Sequence, residues 1–263
     1  MAYRNERLAV SHRVLRLLQL TDSHLHASPD ARMRGFNTDE SFRAVLAQAM
    51  RDPDPAEAIV VTGDLVQDET RAGYERLREM LAACELPVFC IPGNHDAPEL
   101  MASVLSAPPF QLNGDWQIGN WRLIFLNSYC RGDDGGRLPR EELQRLADGL
   151  QQENADHYAI FLHHQPVPMG SRWLDGVGLR NADELLEIVD GSSRVRGLVW
   201  GHVHQASDRR RHGVRLLSTP STCLQFLPNS DDFALDSRPP GYRWLDLHAN
   251  GRIDSRVAWL EEN

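Results

Sequence analysis

The sequence predicts an α/β fold in which a largely parallel sheet packs on a second, partly antiparallel sheet. Two observations carry this prediction. In the first half of the chain, short apolar β-type runs alternate with amphipathic helical patterns, which is typical of βα units. In the second half, β-type runs predominate and are separated by turns rich in Gly and Asn. The 263 residues contain no internal repeat or clear linker, so we expect a single domain over residues 1–263.

The first half of the chain contains three predicted strands, at residues 14–20, 58–61 and 87–91. Predicted helices at residues 39–50 and 70–83 lie between them. In the first helix, Phe42, Val45, Leu46 and Ala49 recur at helical spacing and form one apolar face. The alternation therefore predicts parallel strands joined by helical crossovers.

The second half contains six further predicted strands. They cover residues 121–127, 158–162, 196–200, 214–218, 242–247 and 252–260. Helices are predicted at residues 139–152 and 181–189, and Asn181 is a candidate N-cap for the second of them. Residues 131–137 and 229–240 are polar and rich in Pro and Gly, so we expect surface loops there.

The charge balance limits the classes of partner. The formal net charge is −9, and the tight basic cluster Arg209-Arg210-Arg211 is most simply a solvated hairpin turn, so we expect no long nucleic acid as a partner. The four cysteines form no C-x-x-C pair, which disfavours a zinc ribbon and fits a reducing compartment. Residues 1–8 do not resemble a signal peptide, and no apolar run is long enough to span a membrane. We therefore expect a cytoplasmic protein without a membrane partner.

Five of the predicted strands are followed directly by residues that commonly bind metals. A lone Asp or His after a strand is usually a helix cap, a turn residue or an ordinary imidazole. Side chains at the carboxyl ends of neighbouring strands nevertheless converge on one crevice, and first-row metals favour imidazole and carboxylate ligands. Together, the five short motifs that follow these strands predict a metal site. They are Asp22-Ser23-His24, Gly63-Asp64, Gly93-Asn94-His95-Asp96, His163-His164-Gln165-Pro166 and Gly201-His202-Val203-His204.

This ordered set of motifs resembles the signature of the calcineurin-like metallophosphoesterases, and the match runs from Asp22 to His204. The resemblance implies a four-layer α/β/β/α sandwich of two packed mixed sheets with a dinuclear metal site. By position, it assigns Asp22, His24 and His204 to the first metal, and Asn94, His164 and His202 to the second, with Asp64 bridging both. His164 is preferred over His163 because the family ligand lies two residues before a Pro, here Pro166. The implied metals are iron and manganese, although the ligand types also suit cobalt or zinc.

The resemblance also implies roles toward substrate. It makes His95 the catalytic residue, which contacts phosphate, stabilises transition-state charge and can protonate the leaving group. Asn94 and His24 are the other expected substrate-binding residues. Asp96 either orients the His95 imidazole or caps a helix that begins near Pro98.

Longer segments are similar to the bacterial class III cyclic-nucleotide phosphodiesterases. The similar stretches are residues 15–24, 35–38, 62–68, 173–175, 179–182, 219–226 and 238–242. Purple acid phosphatases carry a Tyr three residues after the bridging Asp, whereas this chain has Gln67 there. The resemblance implies hydrolysis of 3′,5′-cyclic AMP to 5′-AMP by a hydroxide that bridges the metals, which would lower intracellular cyclic AMP.

Several alternatives stay open at this point. The protein could be a general phosphodiesterase or nuclease of the same fold, and the complete ligand set disfavours a purely structural interaction module. One of Trp173, Arg180 or Asn181 contacts the nucleotide, or else residues 173–181 are only a packed loop at the rim. Residues 219–226 are either a core strand and turn or a ligand-contacting segment. The sequence is compatible with a monomer or a homodimer, and it does not choose between cyclic AMP and cyclic GMP.

Overall fold

The computed structural model describes residues 14–152 and 154–261, so the stretch 1–8 lies outside the described residues. The helices are α1 (Thr38–Ala49), α2 (Arg71–Ala82), α3 (Pro98–Val104), α4 (Arg140–Gln151), α5 (Arg172–Asp175) and α6 (Ala182–Asp190). The strands are β1 (Leu15–Leu20), β2 (Arg32–Met33), β3 (Phe36–Asn37), β4 (Ala58–Thr62), β5 (Val88–Ile91), β6 (Phe110–Leu112), β7 (Gly114–Ile118), β8 (Trp121–Phe125), β9 (His157–Leu162), β10 (Val195–Trp200), β11 (Ser207–Arg211), β12 (Val214–Ser218), β13 (Gln225–Phe226), β14 (Leu235–Asp236), β15 (Gly241–Leu247) and β16 (Ile253–Trp259).

Two six-stranded mixed sheets form the centre of the protein. The first has the order β16-β15-β1-β4-β5-β6, in which β1, β4, β5 and β6 are parallel and β15 is antiparallel to β1. The second has the order β11-β12-β10-β9-β8-β7, in which β8, β9, β10 and β12 are parallel and the two edge strands are antiparallel. Two short hairpins, β2–β3 and β13–β14, lie outside these sheets.

Apolar residues divide into three clusters that define four layers. One cluster, which includes Leu17, Phe89 and Phe161, draws residues from both sheets and fills the space between them. A second packs the outer face of the first sheet against α1, α2 and α3, and a third packs the outer face of the second sheet against α4 and α6. Because side chains alternate along each strand, one strand supplies both the inner and an outer cluster. The predicted α/β/β/α sandwich is confirmed.

A buried hydrogen-bond network joins the two sheets beneath the motif loops. Gln19 in β1 donates to the Thr62 hydroxyl at 3.0 Å and accepts from Thr219 at 2.5 Å. Thr219 in turn accepts from Arg243 of β15 at 3.1 Å. Burial lowers the pKa of Arg243 to about 10, and its guanidinium is satisfied by hydroxyl and carbonyl oxygens, among them Ser255 Oγ at 2.6 Å. Satisfied polar groups of this kind fix the alignment of the two sheets.

Some elements differ from the sequence-based expectations. The basic cluster at Arg209–Arg211 belongs to the edge strand β11, and the hairpin turn follows it at His212 and Gly213. Asn181 occupies the N-cap position of α6 but makes no capping bond, because its amide binds the backbone of Leu138 on both sides. The predicted loop 131–137 contains no helix or strand, whereas the predicted loop 229–240 contains the short strand β14.

Two further expectations concern the whole chain. All four cysteines lie in the described residues and are free thiols. Among residues 14–152 and 154–261, no helix combines the length and the apolar character needed to cross a membrane.

Candidate active site

Five residues of the motif blocks adopt an uncommon backbone conformation. The φ angles of Asp22, His24, Asp64, His202 and His204 are 53°, 45°, 53°, 64° and 46°. A non-glycine residue in this left-handed region is strained, and such residues concentrate at functional sites where surrounding contacts hold them. The strained positions follow β1, β4 and β10, and they turn the chain sharply at the same end of the two sheets.

Hydrogen bonds between these turns hold them together. The backbone N–H of Asp22 donates to Gly63 O at 3.0 Å, and that of His24 donates to Asp64 O at 3.0 Å. The Asp22 carboxylate accepts the backbone N–H of His202 at 3.1 Å, which ties the first sheet to the second. The site is therefore preorganised by its own backbone before any ligand binds.

Two glycines permit a close approach that no other residue could. Gly63 has a φ of +95°, and a Cβ there would overlap the imidazole of His163. A Cβ on Gly93 would overlap the carboxylate of Asp64. The glycines of the G-D and G-N-H-D motifs thus let the loops after β4 and β5 pack directly on proposed metal ligands.

The first group of candidate ligands is compact. The Nε2 atoms of His24 and His204 lie 3.1 Å apart, and His204 Nε2 lies 3.4 Å from Asp22 Oδ1. Neighbouring ligand atoms on one ion with bonds of about 2.1 Å are separated by about 3.0 to 3.4 Å. The spacing of Asp22, His24 and His204 therefore fits a shared cation, and all three side chains are buried.

Asp64 connects this group to a second one. Its Oδ2 atom lies 3.7 Å from His24 Nε2 and 3.4 Å from His163 Nε2. His163 Nε2 also lies 3.2 Å from Asn94 Oδ1. One carboxylate oxygen thus faces both groups, which is the geometry that a bridging ligand requires.

Hydrogen bonds fix the tautomer of three histidines. The Nδ1 atoms of His24, His163 and His204 lie 2.7, 2.7 and 2.8 Å from Gln67 Oε1, Thr62 O and Leu224 O. A carbonyl oxygen only accepts, so each Nδ1 carries a proton, and Nε2 is the nitrogen that each ring can offer to a metal.

His164 and His202 have Nε2 atoms that are buried and lack a hydrogen-bond partner among the described residues. Such unsatisfied buried atoms are rare and fit a site that binds a cation. His163 and His164 both have ring nitrogens within 4.8 Å of a His202 nitrogen. The Nδ1 of His164 lies 2.8 Å from Ser128 Oγ, whereas Nε2 of His163 lies 3.4 Å from Asp64 Oδ2. The donor set around Asp64 and Asn94 therefore includes His163 directly.

Burial keeps most of these imidazoles neutral. It lowers the pKa of His24 to about 4 and that of His202 to about 3, and it holds the pKa of His164 well below its ordinary value. Burial also acts to lower the pKa of His163, but the Asp64 carboxylate opposes it and raises that pKa to about 9. Neutral imidazole is the form that binds metals, so a cation bound beside Asp64 would have to displace a proton from His163.

The two carboxylates respond in the opposite direction. Burial acts to raise the pKa values of Asp22 and Asp64, but nearby histidines outweigh it and lower both. His204 acts on Asp22, whereas His163 and His24 act on Asp64. Both carboxylates are therefore anionic, as a ligand to a divalent cation must be.

His95 is half-buried and faces the cavity described below. Its backbone N–H donates to Asp64 Oδ1 at 2.9 Å, and its ring Nδ1 lies 3.2 Å from Gln67 Nε2. Because the amide nitrogen only donates, Nδ1 accepts and the ring proton is on Nε2. The Gln67 side chain thus joins His24 to His95. In the sequence, Gln67 distinguishes this site from a tyrosinate site, and its position three residues after Asp64 was the available signal for this role.

Asp96 has neither of the two roles expected for it. Its buried carboxylate accepts the backbone N–H groups of Leu65 and Gly93 at 3.1 and 2.9 Å and the Tyr74 hydroxyl at 2.9 Å. The N-cap of α3 is Ala97, without a side-chain capping bond. Burial and the Asp64 charge raise the pKa of Asp96 to about 6. Asp96 fixes the loops after β4 and β5 to each other, and the hydrogen bond to the His95 ring comes from Gln67.

A cavity of about 360 Å³ opens over these side chains. Proposed metal ligands and His95 line one side, and an aromatic cluster of Trp173, Phe226 and Phe233 lines another. Arg180 is engaged outside the cavity in an ion pair with Asp133 at 2.7 Å. Of residues 219–226, Leu224 and Phe226 line the cavity. A second opening of about 610 Å³ over α4 contains none of the motif residues.

The fold and the site define a metallophosphoesterase, and comparison with known families agrees. The model of the calcineurin-like phosphoesterase family matches residues 15–206. This protein belongs to that family.

Curated relatives resemble the chain over nearly its whole length. It is 41% identical to the Vibrio vulnificus 3′,5′-cyclic adenosine monophosphate phosphodiesterase CpdA, over 95% of this chain and 92% of the relative. It is 38% identical to the protein of the same name from Pseudomonas aeruginosa, over 94% and 90% of the two chains. It is 35% identical to a 3′,5′-cyclic-nucleotide phosphodiesterase of Nostoc, over 96% and 93%.

Solved structures of low sequence identity share the fold. A dimetal phosphatase from Danio rerio superposes with a TM-score of 0.66 at 15% identity, covering 94% of this chain and 99% of that one. GAP50, the anchor in the inner membrane complex of Plasmodium, superposes with a TM-score of 0.65 at 13% identity, covering 95% and 85%. An enzyme and an anchor therefore share this architecture, and the side chains of the site must carry any functional conclusion.

Proposed function

We propose that this protein is a dinuclear metal-dependent phosphodiesterase that hydrolyses 3′,5′-cyclic AMP to 5′-AMP. The observation that carries the proposal is the single oxygen of Asp64 that faces two groups of candidate ligands beneath a small cavity. The names of the curated relatives support cyclic AMP as the substrate. Hydrolysis would lower the concentration of cyclic AMP in the cytoplasm, where we expect the protein to act.

The first metal is proposed to bind Asp22, His24 and His204, together with the bridging Asp64. The second is proposed to bind Asp64, Asn94 and His202 with one further histidine. The geometry favours His163 for that place, because its Nε2 lies 3.2 Å from Asn94 Oδ1 and its Nδ1 is tied to a carbonyl. His164, which the sequence motif favours, is the alternative ligand, since its buried Nε2 lacks a partner among the described residues.

Iron and manganese are the proposed metals, and cobalt or zinc would suit the same mixed nitrogen and oxygen ligands. Two cations bound here would neutralise phosphate charge and lower the pKa of a water molecule that they share. Asp22 and Asp64 cancel only part of that positive charge. The site can therefore attract a small anion although the formal net charge of the chain is −9.

The remaining steps belong to the side chains of the protein. Asn94 and His24 would lie beside the bound phosphate, and His95 would donate its Nε2 proton to a phosphate oxygen. When the bond from phosphorus to the ribose 3′ oxygen breaks, the same proton can pass to that oxygen. Gln67 keeps His95 in the tautomer whose proton is on Nε2, because the Gln67 amide N–H donates to Nδ1 at 3.2 Å.

The size of the cavity favours a small substrate. A volume of about 360 Å³ is in the range of small-molecule sites, and the lining residues include no row of basic side chains. Of its lining residues, only Arg34 is an arginine or lysine. A long nucleic acid requires clustered cationic side chains along its path, so a cyclic nucleotide is the better match.

Incubation of the metal-loaded protein with cyclic AMP, cyclic GMP, a nitrophenyl phosphodiester and single-stranded DNA separates the candidate functions. We expect the protein to convert cyclic AMP to 5′-AMP and to leave the DNA uncleaved. Turnover of the nitrophenyl diester without turnover of cyclic AMP would contradict the proposed substrate and indicate a general phosphodiesterase. An Asp64→Asn variant is the control, because loss of the bridging charge should remove activity toward every substrate.

A further inference from the structure

We propose that Trp173, Phe226 and Phe233 form a subsite for the nucleobase, so that aromatic stacking distinguishes a nucleotide from a simple phosphodiester. The inference rests on the proposed function, because it places the base beside the phosphate site. The three rings, here called the aromatic wall, have centroids 5.1 to 5.5 Å apart and meet edge to face.

The aromatic wall is continuous with the proposed metal site. Phe226 stacks on the imidazole of His204, with centroids 4.0 Å apart and an angle of 12° between the rings. His204 is a proposed ligand of the first metal, so one side chain links the phosphate site to the wall. A nucleotide whose phosphate lies over His204 would place its base along the neighbouring rings of Trp173 and Phe233, which line the same cavity.

Exposed apolar side chains concentrate on the two chain segments that supply this side of the cavity. Five large apolar side chains of the described residues are exposed, and four lie on the β2–β3 hairpin or between residues 225 and 236. The two segments meet where the Arg34 guanidinium lies 5.0 Å from the centroid of the Phe233 ring. Phe233 itself is 44% exposed. An exposed aromatic ring at the mouth of a cavity is characteristic of a ligand-binding surface rather than of a core.

Trp173 is half-buried and lines the cavity, whereas its indole Nε1 is buried, so the ring is the part of this side chain that a base can contact. Arg180 and Asn181, the other two residues considered for this role, are engaged elsewhere, with Asp133 and with the backbone of Leu138. The occupant that fits is therefore an aromatic base attached to a phosphate.

Calorimetry on the metal-loaded protein tests the subsite without requiring turnover. The probes are 5′-AMP and ribose 5-phosphate, which share sugar and phosphate and differ in the base. Stacking on aromatic side chains should make 5′-AMP bind about 5- to 100-fold more tightly. Phe233→Ala should reduce that ratio by about fivefold or more and leave the Kd of ribose 5-phosphate unchanged.

The matched control is Leu235→Ala, which removes an exposed apolar side chain from the same segment but outside the cavity lining. That variant should keep the wild-type ratio. Equal affinity for the two probes in the wild type, or an unchanged ratio in Phe233→Ala, would overturn the subsite and leave the proposed hydrolysis of cyclic AMP untouched. Conversely, a base-dependent ratio without turnover of cyclic AMP would support the subsite and contradict the proposed function.

Discussion

Gln67 accepts a hydrogen bond from His24 through its side-chain oxygen, at 2.7 Å from His24 Nδ1. The nitrogen of the same amide lies 3.2 Å from Nδ1 of His95. One neutral side chain therefore leaves the Nε2 lone pair of His24 free for a metal and leaves the proton of His95 on Nε2. A carboxylate only accepts, so in this place it would favour the His95 tautomer whose proton is on Nδ1 and not on Nε2.

This difference gives a matched pair of variants. Gln67→Glu should retain the metals but lower kcat by about 10- to 100-fold, since His95 loses the donor that sets its tautomer. Gln67→Met, which removes both hydrogen bonds, should lower metal affinity as well as kcat. Metal analysis and steady-state kinetics on both variants test this, and nitrogen-15 spectra of the metal-free protein report the two tautomers directly. A Gln67→Glu variant with wild-type kcat would show that the bond to His95 is without consequence.

His163 and His164 provide a second matched pair. His163→Ala should bind about one metal per chain instead of two, because the proposed second site loses a nitrogen ligand. His164→Ala should keep both metals if that imidazole serves only the hydrogen bond to Ser128. Elemental analysis after dialysis measures the ratio of metal to protein. The opposite pattern would restore His164, the ligand that the sequence motif favours.

Substitution of His95 separates catalysis from metal binding. His95→Ala should reduce kcat by about 100- to 10,000-fold, since it removes the proposed proton donor while leaving the proposed ligands in place. Metal content should be nearly unchanged. Loss of metal from this variant would show that His95 is a ligand. The side-chain ligand atoms of His24, Asp64 and His95 lie within 4.8 Å of one another.

His157, far from the motif loops, should make stability depend on pH. Its Nε2 donates to Ala249 O at 3.1 Å, and its Nδ1 accepts from Arg196 Nε at 3.3 Å. Burial, assisted by the charge of Arg196, lowers its pKa below the ordinary value. As pH falls below about 6.5, the unfolded chain gains a proton that the folded chain resists, so stability is lost on acidification.

A His157→Gln variant removes that titration. Between about pH 7.5 and pH 5.5, the variant should lose less unfolding free energy than the wild type, by under about 1 kcal/mol. Urea unfolding of both proteins at the two pH values gives the comparison, and the metal site contributes equally to each. A wild type that is no more sensitive to acid than the variant would contradict the lowered pKa.

The layered fold was predictable because strong periodicity and apolar strands dominate its central elements. The strands β6, β7 and β11 were missed because they carry weak patterns, whereas the helix α3 begins at Pro98, where a helix was expected. In β11, Arg209 to Arg211 form an edge strand whose side chains face solvent, and charge on an edge strand hides the β-type alternation.

The metal motifs were also predictable as a group, because ligands after parallel strands meet at one end of a sheet. The choice between His163 and His164 was not. Phe161 lies in the cluster between the sheets, whereas Leu162 lies in the outer cluster. Alternation carries His163 toward Asp64 and His164 toward Ser128. Since every residue of β9 after His157 is apolar, the sequence alone does not indicate which face is the inner one.

Hydrolysis of cyclic AMP in water enriched in oxygen-18, with the products identified by mass spectrometry, shows whether the metal-loaded protein is a cyclic-nucleotide phosphodiesterase. The metal-loaded protein should release 5′-AMP with one oxygen-18 atom in its phosphate, and removal of the metals should abolish the reaction. Unchanged cyclic AMP in the presence of fully loaded protein, or release of 3′-AMP in place of 5′-AMP, would contradict it.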